Sequence, residues 1–114
     1  MPAISRNNAE HYFWGGECDG WHLLKSNGLS VIEERVPPGG SEAKHYHQHS
    51  HQFFYILSGH ATLEIEDRRH VLSPHEGFSV QPRVSHRLLN ETPEDLSFLV
   101  ISAPMSHGDR VTVD

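Results

Sequence analysis

An all-β fold, built as an antiparallel sandwich or closed barrel, is predicted by three features of this 114-residue chain. No run of ten or more residues carries apolar side chains at the i, i+3, i+4, i+7 spacing of an amphipathic helix. Short apolar or alternating segments recur along the whole chain. Glycine, proline and Asn-Gly breaks separate them at regular intervals.

Met1 to Glu17 is polar apart from Tyr12, Phe13 and Trp14, and reads as an arm that packs its aromatics on the body. Trp21–Leu24 and Leu29–Val36 read as strands joined by a Ser26-Asn27-Gly28 turn. Pro37-Pro38-Gly39-Gly40 stops the second strand, because a ladder cannot run through two prolines. Gln52–Leu57 reads as a buried strand with its turn at Ser58-Gly59-His60. In Ala61–Glu66, Leu63 and Ile65 alternate with Glu64 and Glu66, which puts the apolar pair inward. Further strands are expected at His70–Leu72, Phe78–Val80, His86–Asn90 and Leu96–Ser102, each bounded by a turn. Pro104 ends the last, leaving a polar tail that contains His107, Asp109 and Arg110.

One domain is the limit at this length, and its core needs no disulfide. The single cysteine, Cys18, has no partner within the chain and points to a reducing compartment. No signal-peptide pattern and no membrane-length apolar run is visible, so a cytoplasmic protein is expected. A formal charge of −6, with the basic residues scattered, argues against nucleic acid as a partner. A membrane is not expected as a partner either.

The chain holds 11 histidines, four of them alternating at His45, His47, His49 and His51. On a strand, residues i and i+2 point the same way, so His45 and His47 can turn their ring nitrogens to one ion. With a further polar donor and a distant histidine, such a pair makes an open nitrogen and oxygen site suited to one divalent transition metal: iron, manganese, nickel, zinc or copper.

These residues resemble the cupin family. Its first motif runs Gly, five residues, His-x-His, three or four residues, Glu, six residues, Gly. Here Gly39, His45, His47, Gln52 and Gly59 stand at those spacings, with Gln52 in place of the glutamate. The second motif ends in a proline-glycine loop followed by His, three residues and Asn, which His86 and Asn90 match. Within that loop His75 and Arg83 occupy the two glycine positions, Gln81 the usual proline, and Pro82 lies nearby.

The resemblance covers about Trp21 to Ser102. It implies an RmlC-like double-stranded β-helix, or jelly-roll barrel, as a single domain over residues 1–114. An N-terminal arm would span 1–20, the barrel about 21–103 and a C-terminal tail 104–114. It implies one metal held by His45, His47, Gln52 and His86. Gln52 would act directly or through water, and His51 is its rival for that position. Phe54, Ile56, Leu63, Ile65, Phe78, Val80, Leu88, Phe98 and Val100 would wall the pocket. The remaining histidines, His11, His22, His60, His70, His75 and His107, read as ordinary surface or partly buried residues.

The expected partner is a small molecule. Glutamine leaves the full charge of the ion facing the pocket, which favours an anionic, chelating or enolisable substrate. The implied activities are a dioxygenase acting on a small enol or diketone, or a sugar or keto-acid isomerase. A non-catalytic sensor or storage module is the alternative. His49, His51 or Tyr55 would be the base in a catalytic reading, with His49 and His51 at the barrel mouth. Cupins of this size also lead us to expect a homodimer, with Tyr12, Phe13, Trp14 and Trp21 at the interface.

Overall fold

The computed structural model describes residues 3–106 and 108–113, so His107 lies outside the described residues. Eleven strands run in chain order: β1 Glu10–Trp14, β2 Cys18–Lys25, β3 Ser30–Val36, β4 His45–His47, β5 His51–Ser58, β6 Ala61–Ile65, β7 Arg68–Leu72, β8 Gly77–Val80, β9 His86–Leu89, β10 Leu96–Ala103 and β11 Arg110–Thr112. Among the described residues there is no helix. Among these residues no helix is long and apolar enough to cross a membrane. The fold is the all-β jelly roll that the strand spacing and the resemblance predict.

Two antiparallel sheets form the barrel. One has the order β1-β2-β3-β10-β5-β8, and the other β11-β4-β9-β6-β7. The most apolar strand, β10, lies between β3 and β5, where both of its edges are hydrogen-bonded. Alternation decides which side chains meet in the core. Leu96, Phe98 and Val100 of β10 point inward with Ile32 and Val36 of β3 and Phe54 and Ile56 of β5. Leu63 and Leu88 answer them from the facing sheet.

Three expectations change. The N-terminal arm is not a loose segment: its aromatic stretch forms β1, an edge strand paired with β2 from Glu10↔His22 to Trp14↔Cys18, and of its three aromatics only Tyr12 and Trp14 pack on the body. Alternation along it turns Tyr12 and Trp14 against the core and leaves Phe13 72% exposed. The polar tail supplies β11, which pairs with β4 through Arg110↔His47 and Thr112↔His45. Finally, His22 is buried, its ring 5.0 Å from that of Tyr12.

Two motif residues have structural reasons. Gly59 sits at φ +81°, and a Cβ there would lie 2.5 Å from the Asp95 carbonyl oxygen. Asn90 donates from Nδ2 to the carbonyls of Val36 (3.0 Å) and Glu94 (2.7 Å), tying the end of β9 to β3. The two places where the family has loop glycines keep the glycine backbone without the glycine: His75 and Arg83 both lie at φ +69°. Each is held there by its own N–H, His75 donating to Ile56 O (2.7 Å) and Arg83 to His47 O (2.6 Å).

Candidate metal centre and its cavity

His45 and His47 project from one face of β4 into the barrel, as their spacing requires, at 2% and 6% exposure. His86 opens β9, and the β4–β9 ladder sets it directly opposite His45. The ring centroids of His45 and His86 are 4.4 Å apart, and one ring nitrogen from each of the three histidines lies within 4.8 Å of the others. The pairing of two strands far apart in sequence therefore completes the triad.

The tautomers of two members follow from their partners. His45 Nδ1–H donates to Ala43 O at 2.7 Å and His86 Nδ1–H to Val84 O at 2.9 Å. A carbonyl can only accept, so Nδ1 carries the proton in both rings and Nε2 keeps its lone pair. Burial pushes all three imidazoles below their ordinary pKa, to about 3 for His45 and about 4 for His47. They are neutral near pH 7, the form that binds a metal.

A cavity of about 260 Å³ lies against this cluster, lined by His45 and His47 together with Gln52, Phe54, Ile32 and Val100. Gln52 is buried, and its Nε2 donates to Ser102 Oγ at 3.0 Å. Gln52 Oε1, His86 Nε2 and His47 Nδ1 are buried without a hydrogen-bond partner. Buried polar atoms are ordinarily paired, so the orphaned acceptors Gln52 Oε1 and His86 Nε2, with an unpaired His47 ring nitrogen beside them, fit a cation. The donor set matches a divalent transition metal.

The apolar wall is smaller than expected. Of the nine residues named for it, Phe54 and Val100 line the cavity, and the others fill the barrel away from it. The candidate bases also stand elsewhere. His51 and Tyr55 are out of phase with Gln52 and Phe54 on β5, so they face outward. His51 meets Ser79 Oγ at 2.6 Å and Tyr55 Oη lies 3.5 Å from His75 Nδ1. His49 is exposed in the β4–β5 turn, where its backbone N–H donates to the Asp109 carboxylate at 2.9 Å. None of the three lines the cavity.

The cavity is lined instead by Tyr12 and Glu34 from the six-stranded sheet and by Glu42 and Arg110 from segments next to the histidine strands. Tyr12 Oη donates to Glu34 Oε2 at 3.3 Å, and Leu88 N–H donates to Glu42 Oε1 at 2.9 Å. Burial, reinforced for Glu34 by the charge of Glu42, raises these carboxyls to about 8 and about 7. Burial and the neighbouring Glu34 raise the Tyr12 phenol as well. Glu34 was detectable in the sequence: it is in phase with Ile32 and Val36, so the alternation that buries them buries it too. Tyr12 and Arg110 left no comparable signal, because β1 and β11 are short and polar on one face.

Thirty percent identity over 74 residues relates the chain to an oxidoreductase of Arthrobotrys oligospora, covering 64% of this chain and 29% of that protein. The chain thus spans less than a third of that relative's length. Among solved structures, the polyketide cyclase RemF from Streptomyces resistomycificus superposes with a TM-score of 0.86 at 20% identity, covering 100% of this chain and 86% of that one. A predicted oxalate decarboxylase from Thermotoga maritima gives 0.83 at 21% identity, with 92% and 100% covered. At such identities the likeness is one of fold. The family model described as Cupin domain matches residues 32–102, more than half of the chain and inclusive of both histidine motifs, and the chain belongs to that family.

Proposed function

We propose that the protein is a metal-dependent enzyme acting on a small enolisable or anionic carbonyl compound. One observation carries this reading: three buried, neutral histidines converge within 4.8 Å beside a cavity of about 260 Å³ that Tyr12, Glu34 and Glu42 also line. His45, His47 and His86 would hold the ion, with Gln52 Oε1 as a fourth donor or the anchor of a bound water. The ion would act as a Lewis acid that polarises a carbonyl and stabilises negative charge on its oxygen. The chain does the rest. Phe54, Ile32 and Val100 exclude water from one side of the substrate, Arg110 offers positive charge to an anionic group, and Glu34 and Glu42 face it with carboxyls.

The test is elemental analysis after loading with zinc, manganese or iron(II), followed by turnover on a panel of hydroxy ketones, keto acids and diketones. One equivalent of metal is expected, with near-complete loss in His47→Ala. Unchanged metal content in that variant would overturn the site. The name of the Arthrobotrys relative favours a second reading, in which the same centre activates dioxygen. Oxygen uptake coupled to substrate loss separates the two, and metal binding without turnover on any member of the panel returns the protein to a sensor or storage role.

We also propose a homodimer. Tyr12 and Trp14 pack on their own core, so the apolar side chain that β1 offers is Phe13, 72% exposed. Light scattering is expected to give twice the chain mass, falling toward one chain in Phe13→Ser.

A further inference from the structure

Tyr12, Gly20 and Glu34 form one row across three strands, since Tyr12 pairs with Gly20 and Gly20 pairs with Glu34. The Tyr12 ring lies across β2 at Gly20: a Cβ on that residue would sit 2.3 Å from the ring's Cζ and 2.6 Å from its hydroxyl. Glycine is therefore the residue that lets the phenol pass over β2 and reach the carboxylate on β3. The hydrogen bond to Glu34 at 3.3 Å is the result. Among the described residues it is the only side-chain hydrogen bond that Glu34 makes.

The two carboxyls of this wall differ. Glu42 accepts the backbone N–H of Leu88 and so helps to hold β9. Glu34 is buried, opens on the same cavity as His45 and His47, and accepts from a side chain, the Tyr12 hydroxyl, rather than from a backbone N–H. A buried carboxyl is destabilising unless paired, and the missing side chain of Gly20 on the neighbouring strand lets the Tyr12 hydroxyl reach this one. The groups that face it are Tyr12 from β1, Glu42 from the segment before β4 and Arg110 from β11, with His22 packed on the Tyr12 ring.

We propose that Glu34, oriented by the Tyr12 hydroxyl across Gly20, is the group that removes and returns a proton on a carbonyl compound seated in the cavity. This rests on the metal-dependent reading above. As carboxylate, Glu34 takes the hydrogen from the carbon next to the carbonyl. The C–H electron pair becomes the enolate double bond, and the carbonyl π pair moves onto oxygen. The Glu34 acid then gives its proton back to that carbon, which restores both carboxylate and ketone. Nothing is oxidised or reduced and no co-reactant is consumed. Tyr12, held protonated by its surroundings, is a positioning residue that favours the carboxylate form.

The experiment follows loss of the α-C–H signals of dihydroxyacetone and pyruvate in D2O by proton NMR, using the zinc-loaded full chain. Wild type is expected to exchange at least one of the two faster than free zinc does. Glu34→Gln should slow that exchange by about a hundredfold or more while zinc content stays at the wild-type level. Tyr12→Phe and Gly20→Ala should both shift the acid limb of the pH profile upward, because each removes the hydrogen bond that favours the charged carboxylate.

A second readout uses metal-free protein: the carboxyl carbon resonance missing from Glu34→Gln should titrate toward pH 8 in wild type and higher in Tyr12→Phe. Exchange in Glu34→Gln within threefold of wild type, no exchange of either probe by wild type, or a Glu34 titration in the ordinary carboxylate range that Tyr12→Phe leaves unmoved would each overturn the proposal. Failure of the metal reading is seen separately, as zinc content that His47→Ala does not lower.

Discussion

The cavity has two polar walls, and they come from different sheets. His45, His47 and His86 belong to the five-stranded sheet, whereas Tyr12 and Glu34 belong to the six-stranded one. The same force acts on both with opposite sign. Burial disfavours charge, so it drives the imidazoles down and the carboxyls up in pKa. Near neutrality the histidines are left with free lone pairs and Glu34 with a proton on its carboxyl. The difference teaches that one cavity can draw a proton acceptor and a proton donor from opposite sheets without their forming a salt bridge. Such a pairing suits a ligand that bridges a metal and an acid.

The largest expected effect breaks the histidine wall alone. His86→Ala should weaken zinc binding by more than about a hundredfold, beyond the range typical for losing a residue that merely supports a ligand. Calorimetry or a competing chelator measures it. Glu34→Gln should leave that affinity within a few-fold, and equal losses in the two variants would mean that the walls are a single unit.

Next comes the pH dependence of the metal-free fold. The histidine pKa values are depressed from 6.5, so the unfolded chain binds more protons below that pH and stability falls as pH drops toward about 4 for His47 and about 3 for His45. The Glu34 and Glu42 values are raised from 4.5, so the folded chain holds more protons above that pH and stability falls as pH rises toward about 7 for Glu42 and about 8 for Glu34. Between pH 4.5 and 6.5 the two sets oppose each other, and above pH 6.5 the carboxyls act alone, so their contribution falls from there toward about pH 8. Urea unfolding across pH should show this alkaline decline, and Glu34→Gln should flatten it. A decline unchanged by Glu34→Gln would deny that the Glu34 carboxyl is buried as described.

A smaller effect is expected from Gln52→Glu, which places a charge beside the histidine wall. It should tighten zinc and weaken oxalate binding to the zinc-loaded protein by about tenfold, or about 1.4 kcal/mol. Tighter oxalate binding would contradict the idea that the uncharged donor leaves the cavity attractive to anions. The smallest concerns the loop under the histidine wall. Arg83→Gly relieves a left-handed residue worth about 1–2 kcal/mol but loosens the unfolded chain by about 0.5–1 kcal/mol. A stabilisation below about 1 kcal/mol is expected in urea, provided that the N–H bond to His47 O persists.

Much of the histidine wall was legible from local pattern. The His45-x-His47 step needs only strand geometry, and the spacing to Gly59 follows from a turn that a side chain would obstruct. Gln52 was placed inward by the same alternation that turns His51 and Tyr55 outward. That phase argument was available from the apolar run Phe54 and Ile56, and it tells against the outward pair as bases. Short segments without strong alternation were less legible: β1 reads as an arm and β11 as a tail because three to five residues with one polar face carry little periodic signal.

The chain alone determined the all-β architecture, the turn positions and the imidazole pair on one strand, because these depend on neighbours within a few residues. Tertiary structure decided that His86 stands opposite His45, that Tyr12 reaches Glu34 over a glycine, and that β11 brings Arg110 to the cavity. Each of these is a matter of register between strands distant in sequence. A shift of one residue turns a side chain to the opposite face of its sheet, and only the packing of the whole barrel selects the register.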